Sequence, residues 1–555
     1  MKPGSALRPP RARRGAALAA AILAVTAAVL TAPWFLRHGG DTPSHTPALV
    51  LRRGNGAEPE SLDPHGARSE AALTILRDLY EGLTEIGSEG TPSLAAADQC
   101  TISADGITYR FHLRTRGVWS NGDAVVAEDF AAAWRRLVDP RTGAQYAQLL
   151  AAVENAEAIT GGLAAPATLG AHALDPSTLE VRLRRPTPYF LSLLTHPATF
   201  PIHRGTLAQH GRSFAKPGVM VSNGAFVLAR WDFGSHLAAV RNRRYWNDAA
   251  THVDRVEYYS ITEPAAELRA FRSGALDVTS TIPGAQFDWV KQHLGQELRV
   301  APQLGVYYLG LNLRRAPFAT SRALREALSL VIDRERLVQA VTGTGESAAY
   351  TFVPPQTFNY SPPIPEYAGW SMARRIALAR RLLADTGMLQ SPPALELSYN
   401  SGELHARIAI AVAAMWKQAL GIDTRLHAEE FKVLLQDIDR GEATQVFRAS
   451  WLADYDDAYS FLQVLQSGFG INLPRYSSAA YDVLLGRAAN EGDPQRRRAL
   501  LQNAERVMLD DQPLIPLYFY VAKHLVSARV TGWRDDPMNV VYSKQLAKDR
   551  AQPRP

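Results

Sequence analysis

The chain has 555 residues, which is too long for a single ordinary hydrophobic core, so two or three domains are expected. Hydrophobic residues make up 46% of the sequence and charged residues 21%, as in a soluble globular protein. The net charge of +6 comes from the first 38 residues, which contain no acid and these six cations: Lys2, Arg8, Arg11, Arg13, Arg14 and Arg37. The remaining 54 basic residues balance 54 acidic residues, which argues against a nucleic-acid partner.

A targeting segment is predicted at residues 1–38. An apolar run from Gly15 to Leu36 follows the basic stretch, and it is close to the ~20 residues that span a bilayer. The segment is therefore either a signal peptide or an uncleaved membrane anchor, and the Gly/Pro/Ser/Thr-rich residues 39–48 are a tether. The cations before the run keep the N-terminus in the cytoplasm, so the body is exported. Cys100 is the sole cysteine, which excludes a lipid-modified cysteine after the run and an intrachain disulfide.

Helix and strand patterns alternate along the rest of the chain. A short strand at 49–51 precedes apolar residues at helical spacing over 70–83, and 107–114 alternates like a half-buried strand. Further helices are predicted at 127–137, 264–273, 321–332, 334–342, 371–386, 404–420, 430–440, 479–489 and 494–511. Further strands are predicted at 178–184, 224–231, 236–241, 253–260, 276–280, 306–313, 394–400, 422–428, 445–451 and 514–521. The mixture predicts α/β domains with mixed sheets.

The segment from Arg448 to Tyr455 is the most informative one. A mostly apolar strand ends in a lone carboxylate, Asp454, beside Trp451. A carboxylate at the mouth of an aromatic pocket suits a small cation such as an α-ammonium, because desolvation strengthens the ion pair. The alternative is that Asp454 caps a helix predicted from about Asp456 to Leu465.

The sequence offers no familiar catalytic or metal-binding motif. Gly-x-Ser-x-Gly, His-Glu-x-x-His and the P-loop are missing. Asp454, Asp456 and Asp457 are close in sequence, but a loop for a hard cation would bring more oxygen ligands and a turn glycine. We therefore expect a binding protein that is not an enzyme and that carries no metal or other cofactor.

Several motifs follow one another in a fixed order. They are Glu58–Pro64 (EPESLDP), Arg77–Leu83 (RDLYEGL), Phe111–Arg114 before Trp119–Gly122 (WSNG), Ala127–Phe130 (AEDF), Ser222–Phe226 (SNGAF) and Asn242–Asn247 (NRRYWN). In this order, and over residues 49–545, the chain resembles the family 5 solute-binding proteins of bacterial ABC importers. The resemblance implies a bilobal periplasmic-binding-protein fold, type II-like, with mixed sheets, a hinge and three domains. Lobe I would comprise 49–80, 202–304 and 522–545, the inserted domain II 81–201, and lobe II 305–521.

The resemblance also implies a ligand site. Asp454 matches a carboxylate that binds a peptide's α-ammonium, and Arg448 a cation that offsets that buried charge. Ser450 and Leu452 match residues whose main chain pairs with an extended peptide, a sequence-tolerant mode of binding. The matching pocket positions are Trp451 and Phe431, with Tyr146, Asn223, Tyr307, Tyr308 and Tyr542 as further candidates.

For the carboxylate end of a peptide the chain offers His405 and Arg440. The alternatives are a surface histidine at a helix start and a cation at a helix C-terminus. Arg68 lies where the family would have an acid beside the ligand, and Leu304 and Leu452 stand where relatives often have a disulfide.

The implied function is that of a monomeric periplasmic receptor, not lipidated, that delivers short oligopeptides to the permease and ATPase subunits of an importer. A receptor for murein peptides or another solute of the family is the alternative. A third hypothesis, favoured if the N-terminal segment is not cleaved, is a membrane-tethered peptide sensor or holdase.

Overall fold

The computed structural model describes residues 48–87, 90–441 and 445–549, so the predicted targeting segment and nearly all of the tether lie outside the described residues. The strands of the described part, in chain order, are β1 Val50–Gly54, β2 Thr84–Ile86, β3 Pro92–Leu94, β4 Ala97–Ile102, β5 Thr108–Leu113, β6 Ala171–Asp175, β7 Thr178–Arg182, β8 Phe226–Asp232, β9 His236–Arg241, β10 Arg255–Tyr259, β11 Leu298–Leu311, β12 Ser347–Ala348, β13 Leu395–Asn400, β14 Thr424–Glu429, β15 Val446–Leu452, β16 Leu514–Leu525, β17 Val530–Thr531 and β18 Ala547–Lys548.

Helices cover most of the segments with helical spacing. They are α1 Glu70–Leu79, α2 Ala127–Val138, α3 Ala156–Thr160, α4 Phe190–Leu193, α5 Arg204–His210, α6 Pro264–Arg272, α7 Phe287–His293, α8 Arg322–Leu330, α9 Arg334–Leu337, α10 Met372–Asp385, α11 Glu403–Leu420, α12 Phe431–Arg440, α13 Ala458–Leu462, α14 Ala479–Asn490 and α15 Pro494–Asp511. Side-chain caps at the predicted starts explain several of these boundaries, as where Ser69 accepts a hydrogen bond from the Ala72 amide at the start of α1.

Three larger sheets organise the strands. The first has the order β1-β10-β9-β8, with β1 parallel to β10 and the other pairs antiparallel. The second, β4-β5-β7-β6, is antiparallel and comes entirely from residues within 81–201. The third, β12-β16-β11-β15-β13-β14, is mixed, because β13 is parallel to both β14 and β15. The prediction of an α/β protein with mixed sheets is confirmed.

The longest strand pair, β11 with β16, runs through both predicted lobe boundaries at 304/305 and 521/522. Its first part packs with lobe I elements, since Leu525 lies in a cluster with Leu268 and Phe271. Its second part lies in the third sheet, where Leu309 packs beneath α8 and α11. The register shifts between Pro302 and Val306, so the ladder is interrupted between the two parts. The three-domain division itself stays a prediction.

Two predicted elements differ from the structure. The strand at 276–280 is wrong, because Val278 alone forms bridges, one to Arg53 and one to Val526, while the Thr279 hydroxyl accepts a hydrogen bond from the Leu525 amide. The strand predicted at 306–313 begins eight residues earlier, at Leu298, because Pro302 and Gly305 resemble strand breakers but lie at the register shift.

A buried carboxylate fixes the irregular segment that precedes α10. Glu505 of α15 is fully buried, and it accepts hydrogen bonds from the amides of Phe352 and Val353 and from the Tyr360 hydroxyl. Burial raises the pKa of Glu505 to about 7, although these three donors oppose the rise. The segment from Phe352 to Tyr360 is therefore attached to α15 through this side chain.

We expect Glu505→Ala to lower the free energy of unfolding by about 3–5 kcal/mol, because it leaves two amides and a hydroxyl buried without an acceptor. Urea denaturation followed by circular dichroism measures the change. Asp510→Ala, which removes an exposed carboxylate from the same helix, should stay within about 0.5 kcal/mol of the parent. Equal effects of the two substitutions would contradict the role of Glu505.

Candidate functional site

Asp454 lies two residues beyond β15 in a loop held by main-chain contacts. The Ala453 amide donates to the Leu304 carbonyl at 2.9 Å, and the Asp454 amide donates to the Ser460 hydroxyl at 3.1 Å. Trp451 Nε1 donates to the Ser460 carbonyl at 2.9 Å. The loop is therefore fixed without use of the Asp454 carboxylate.

The Asp454 carboxylate has no charged or hydrogen-bonding partner among the described residues. Burial raises the pKa of Asp454 to about 6, and no neighbouring cation opposes the rise. Such a carboxylate binds an external cation more strongly than an exposed one would, because little water competes.

The carboxylate opens into a cavity with a volume of about 690 Å³. One wall comes from the segment 81–201 and the other from residues that follow β15. The cavity is lined by Tyr146, Gln148, Leu149, Ala151, Ala152, Glu157, Arg184, Arg185, Tyr189, Leu193, Trp451, Asp454, Tyr455, Tyr459, Gln463, Gln466, Phe469 and Ile471. Tyr146 and Trp451 are thus two of the predicted positions that lie beside Asp454. Arg185 and Tyr189 were missed because they are distant in sequence, and Tyr455 and Tyr459 because their local pattern predicts only a loop and a helix.

An aromatic stack joins the two walls. The Tyr189 ring stacks with the rings of Tyr455 and Tyr459. Its centroid lies 5.1 Å from that of Tyr455, with the ring planes inclined by 9°, and 5.3 Å from that of Tyr459, with the planes inclined by 21°. The Arg497 guanidinium lies over the Tyr189 ring at 5.2 Å. The residue next to Asp454 in the chain therefore contacts the opposite wall.

The helix cap that was the alternative role for Asp454 is supplied by Asp457. Asp457 accepts from the Tyr459 amide at 2.7 Å at the start of α13, which covers only the middle of the predicted 456–465 helix. Its carboxylate also forms a bidentate ion pair with buried Arg497 at 2.7 and 2.8 Å. Asp456 instead accepts from the Phe358 amide, so Asp456 and Asp457 have separate partners and neither contacts the Asp454 carboxylate. In the described part of the chain no group of three His, Cys, Asp or Glu side chains is placed to hold a metal.

The main chain beside Asp454 has an unpaired edge. β15 pairs with β11 along its whole length, but with β13 only at Val446 and Phe447. Because the Ala453 amide points to β11 and directions alternate along an antiparallel strand, the main-chain groups of Ser450 and Leu452 point away from β11. No described strand covers that side, so an extended chain can pair there.

Arg448 does not offset the Asp454 charge as the resemblance implied. Its guanidinium donates to Asn400 Oδ1 at 3.1 Å and to the Tyr520 hydroxyl at 3.3 Å, and it lies over the Tyr307 ring at 4.8 Å. Arg448 has no carboxylate partner within 48–87, 90–441 and 445–549. The physical reason is distance, since Arg448 lies within β15, Asp454 lies two residues beyond its end, and the Arg448 charge has no effect on the pKa of Asp454.

His405 belongs to the same cluster as Arg448. Its Nδ1 lies 3.3 Å from the Tyr307 hydroxyl. Burial and, to a smaller extent, the Arg448 charge together lower the pKa of His405 to about 4. At neutral pH the cluster therefore carries one positive charge, on Arg448.

The remaining predicted positions lie elsewhere. Asn223 is buried, and its side-chain amide forms hydrogen bonds with both the amide and the carbonyl of Glu81. The Tyr308 ring packs edge-on against Phe352. The Tyr542 hydroxyl accepts a hydrogen bond from the Ile86 amide. These three are placed to support the fold. Phe431 and Arg440 are exposed at the two ends of α12.

Family-model matching and comparison with known proteins give consistent results. Residues 90–472 match the family model described as bacterial extracellular solute-binding proteins, family 5, middle. The chain is 35% identical to the periplasmic oligopeptide-binding protein of Salmonella typhimurium over 94% of this chain and 97% of that protein. It is 37% identical to the probable deoxycholate-binding periplasmic protein of Escherichia coli over 92% of this chain and 96% of that protein. The structure of the Escherichia coli murein tripeptide binding protein superposes with a TM-score of 0.80 and 34% sequence identity, and the match covers 91% of this chain and 99% of that protein.

The two neighbouring carboxylates should respond oppositely to neutralisation. Asp457→Asn keeps a capping side chain but leaves Arg497 buried without its partner, which should cost about 3–5 kcal/mol of unfolding free energy. The pKa of Asp454 is raised in the folded chain, so ionisation disfavours folding as the pH rises from about 4 to 6, and at pH 8 the whole penalty is present. Asp454→Asn should therefore match the parent at pH 8 or exceed it by up to about 3 kcal/mol. Urea denaturation of both variants at pH 8 measures this, and a marked loss for Asp454→Asn would indicate a structural role.

Proposed function

We propose that this chain, which belongs to family 5 of the bacterial extracellular solute-binding proteins, captures short peptides in extended form and delivers them to an ABC importer. The observation that carries the proposal is the Asp454 carboxylate, which is enclosed by aromatic residues and has no partner of its own among the described residues. Its relatives include proteins named for oligopeptides and for a murein tripeptide.

The amino end of the peptide binds Asp454 through its α-ammonium. The main chain of the peptide then pairs with the free edge of β15 at Ser450 and Leu452, which reads backbone rather than side chains. Trp451 and Tyr146 exclude water around the ion pair, which strengthens it.

The carboxylate end of the peptide meets Arg448, with neutral His405 as a hydrogen-bonding neighbour. Arg448 supports this role because it is a largely enclosed cation held by neutral groups alone. Arg440, exposed at the end of α12, is proposed to meet the carboxylate of longer peptides. The stretch from Arg448 to Asp454 suits an extended peptide of about three to five residues, because each residue of extended chain spans about 3.3 Å.

The chain acts as a monomer and binds without catalysis, and its partners are the permease and ATPase subunits of the importer. A murein-peptide receptor is the second candidate, because a murein peptide also has a free amine for Asp454. A steroid acid such as that in the name of the Escherichia coli relative has no ammonium, so Asp454 disfavours it. Retention in the membrane would favour a tethered sensor or holdase without import.

The proposed location is the periplasm, either free or tethered through residues 1–48. Among residues 48–549, leaving out 88–89 and 442–444, no helix is long and apolar enough to cross a membrane.

Alkaline phosphatase fused after residue 60 should be active, because the enzyme needs an oxidising compartment. The mass of the exported chain distinguishes the cleaved form from the anchored form. An inactive fusion would contradict export and the importer role with it.

A free amino terminus should be essential for tight binding. For tetra-alanine measured by calorimetry at pH 7.5, N-acetylation should weaken binding by roughly 30-fold to several thousand-fold, because it removes the charge that pairs with Asp454. Asp454→Asn should weaken binding of the free peptide to a similar extent and abolish the difference between the two peptides. Asp385→Asn, which removes an exposed carboxylate from α10, should leave both affinities unchanged. Equal binding of both peptides to the parent protein would refute the ammonium site.

Affinity should also depend on pH. Asp454 must lose its proton to bind an ammonium, and its pKa is about 6 in the free protein. Binding of tetra-alanine should therefore be constant above about pH 7 and weaken about tenfold per unit below pH 6. Asp454→Asn should show a flat profile over the same range, whereas a parent profile that is flat down to pH 5 would contradict the role of Asp454.

A further inference from the structure

The cavity at Asp454 contains a second charge that the protein leaves without an opposite partner. Arg184 and Arg185 both line the cavity. Arg184 forms an ion pair with Glu157 at 2.8 Å. Arg185 forms no ion pair with any residue that the structure describes, so the two adjacent arginines differ in whether their charge is compensated.

The chain holds Arg185 firmly in this position. It lies three residues after the end of β7 and precedes Pro186, which restricts its backbone. The Arg184 amide donates to the Ala152 carbonyl at 2.9 Å, and the Arg185 carbonyl accepts from the Thr187 hydroxyl at 3.2 Å. The direction of the Arg185 side chain is therefore set by main-chain contacts on both sides.

The surroundings of the Arg185 guanidinium are neutral. Burial raises the pKa of Tyr459, and the Arg185 and Arg497 cations together with a hydrogen bond from the Arg185 side chain oppose the rise. Arg185 therefore contacts the Tyr459 phenol, which stays uncharged at neutral pH. The Arg185 Nε is buried and has no acceptor among the described groups. A half-buried guanidinium whose partner is neutral and whose Nε donor is unused favours an anion that accepts its hydrogen bonds.

Asp454 and Arg185 do not neutralise each other. A cation in contact with Asp454 would lower its pKa, whereas burial alone raises it. The cavity is thus bipolar, with an anionic point and a separate cationic point within about 690 Å³. A ligand whose α-ammonium pairs with Asp454 must place the rest of its first residue in the same space.

We propose that Arg185 selects peptides whose first residue carries a carboxylate in addition to the α-ammonium. Two sources supply this chemistry: the side chain of an amino-terminal Asp or Glu, and the free α-carboxylate of a residue linked through its γ-carboxyl. The inference rests on the proposed function, because the ammonium must first occupy Asp454. It adds a preference at the first position to a site whose main-chain pairing is otherwise tolerant of sequence.

Calorimetry with tetrapeptides that differ only at the first residue tests the preference. Glu-Ala-Ala-Ala should bind the parent protein about 10- to 100-fold more tightly than Gln-Ala-Ala-Ala, which has the same shape without the charge. The γ-linked form of the glutamyl peptide is the second arm, and the tighter of the two glutamyl peptides identifies the source of the carboxylate. Equal affinities for the Gln peptide and both glutamyl peptides would overturn the proposal.

Two arginine variants separate a specific contact from a general effect. Arg185→Gln should remove the preference for the glutamyl peptide and leave the affinity for Gln-Ala-Ala-Ala within about threefold. Arg182→Gln is the matched control, because it removes a nearby exposed cation that pairs with Glu154 outside the cavity lining, and it should keep the preference. A preference that survives Arg185→Gln would overturn the assignment.

If a variant fails to fold, the preference can still be tested with the parent protein, since the comparison of glutamyl and glutaminyl peptides needs no substitution. The outcomes also distinguish the selection by Arg185 from the proposed function as a peptide receptor. Binding of all free peptides without preference refutes the selection by Arg185 and leaves the peptide receptor intact. Failure of every free peptide to bind refutes the proposed function itself.

Discussion

The antiparallel pairing of β11 with β16 is the constraint on which the site depends. This pair carries β15 on one side, and its first part packs in a different cluster from its second part. The Leu304 carbonyl at the register shift accepts from the Ala453 amide, so the loop of Asp454 is attached directly to the irregular point of the ladder. A Cβ at Gly305 would lie 2.4 Å from a Leu452 methyl, so a larger residue there would displace the Leu452 side chain. The place where the ladder changes register and the place where the ligand would pair are thus one piece of backbone.

The cavity differs from the rest of the protein in whether its buried charges are paired with opposite charges. Asp457 is paired with Arg497, Asp277 with Lys548 at 2.7 Å, and Glu81 with Lys544 at 3.3 Å. These contacts offset the cost of desolvation, which otherwise makes buried charge strongly unfavourable. By contrast, Asp454, Arg448 and Arg185 have no opposite charge among the described residues. A site that waits for a zwitterionic ligand must keep its own charges apart and uncompensated, which is an energetic cost in the free protein.

The sequence predicts the elements better than the assembly of the cavity. Periodicity locates the helices and strands, because it reflects which face each element buries, and the motif order predicts the family. Local patterns could not assign the cap to Asp457 rather than Asp454, since both precede α13 by a few residues. The resemblance implied that Arg448 offsets the charge of Asp454, although Arg448 lies within β15 and Asp454 beyond its end. Arg185 and Tyr189 were missed because their role arises from contact with residues more than 260 positions away, which no window of sequence contains.

The stacking of Tyr189 between Tyr455 and Tyr459 bears on how long a bound molecule stays. The tyrosine next to Asp454 is also the one that closes the cavity against the opposite wall, so the contact with the ligand and the contact between the walls share one short stretch of chain. Separation of the two walls breaks the contacts of Tyr189 with Tyr455, Tyr459 and Arg497 together. The free energy of these contacts adds to the barrier for opening between the walls, independently of the affinity for the occupant. Residence time and specificity are in this way adjustable by different side chains, and a receptor of this design can hold its cargo long enough to reach a membrane partner.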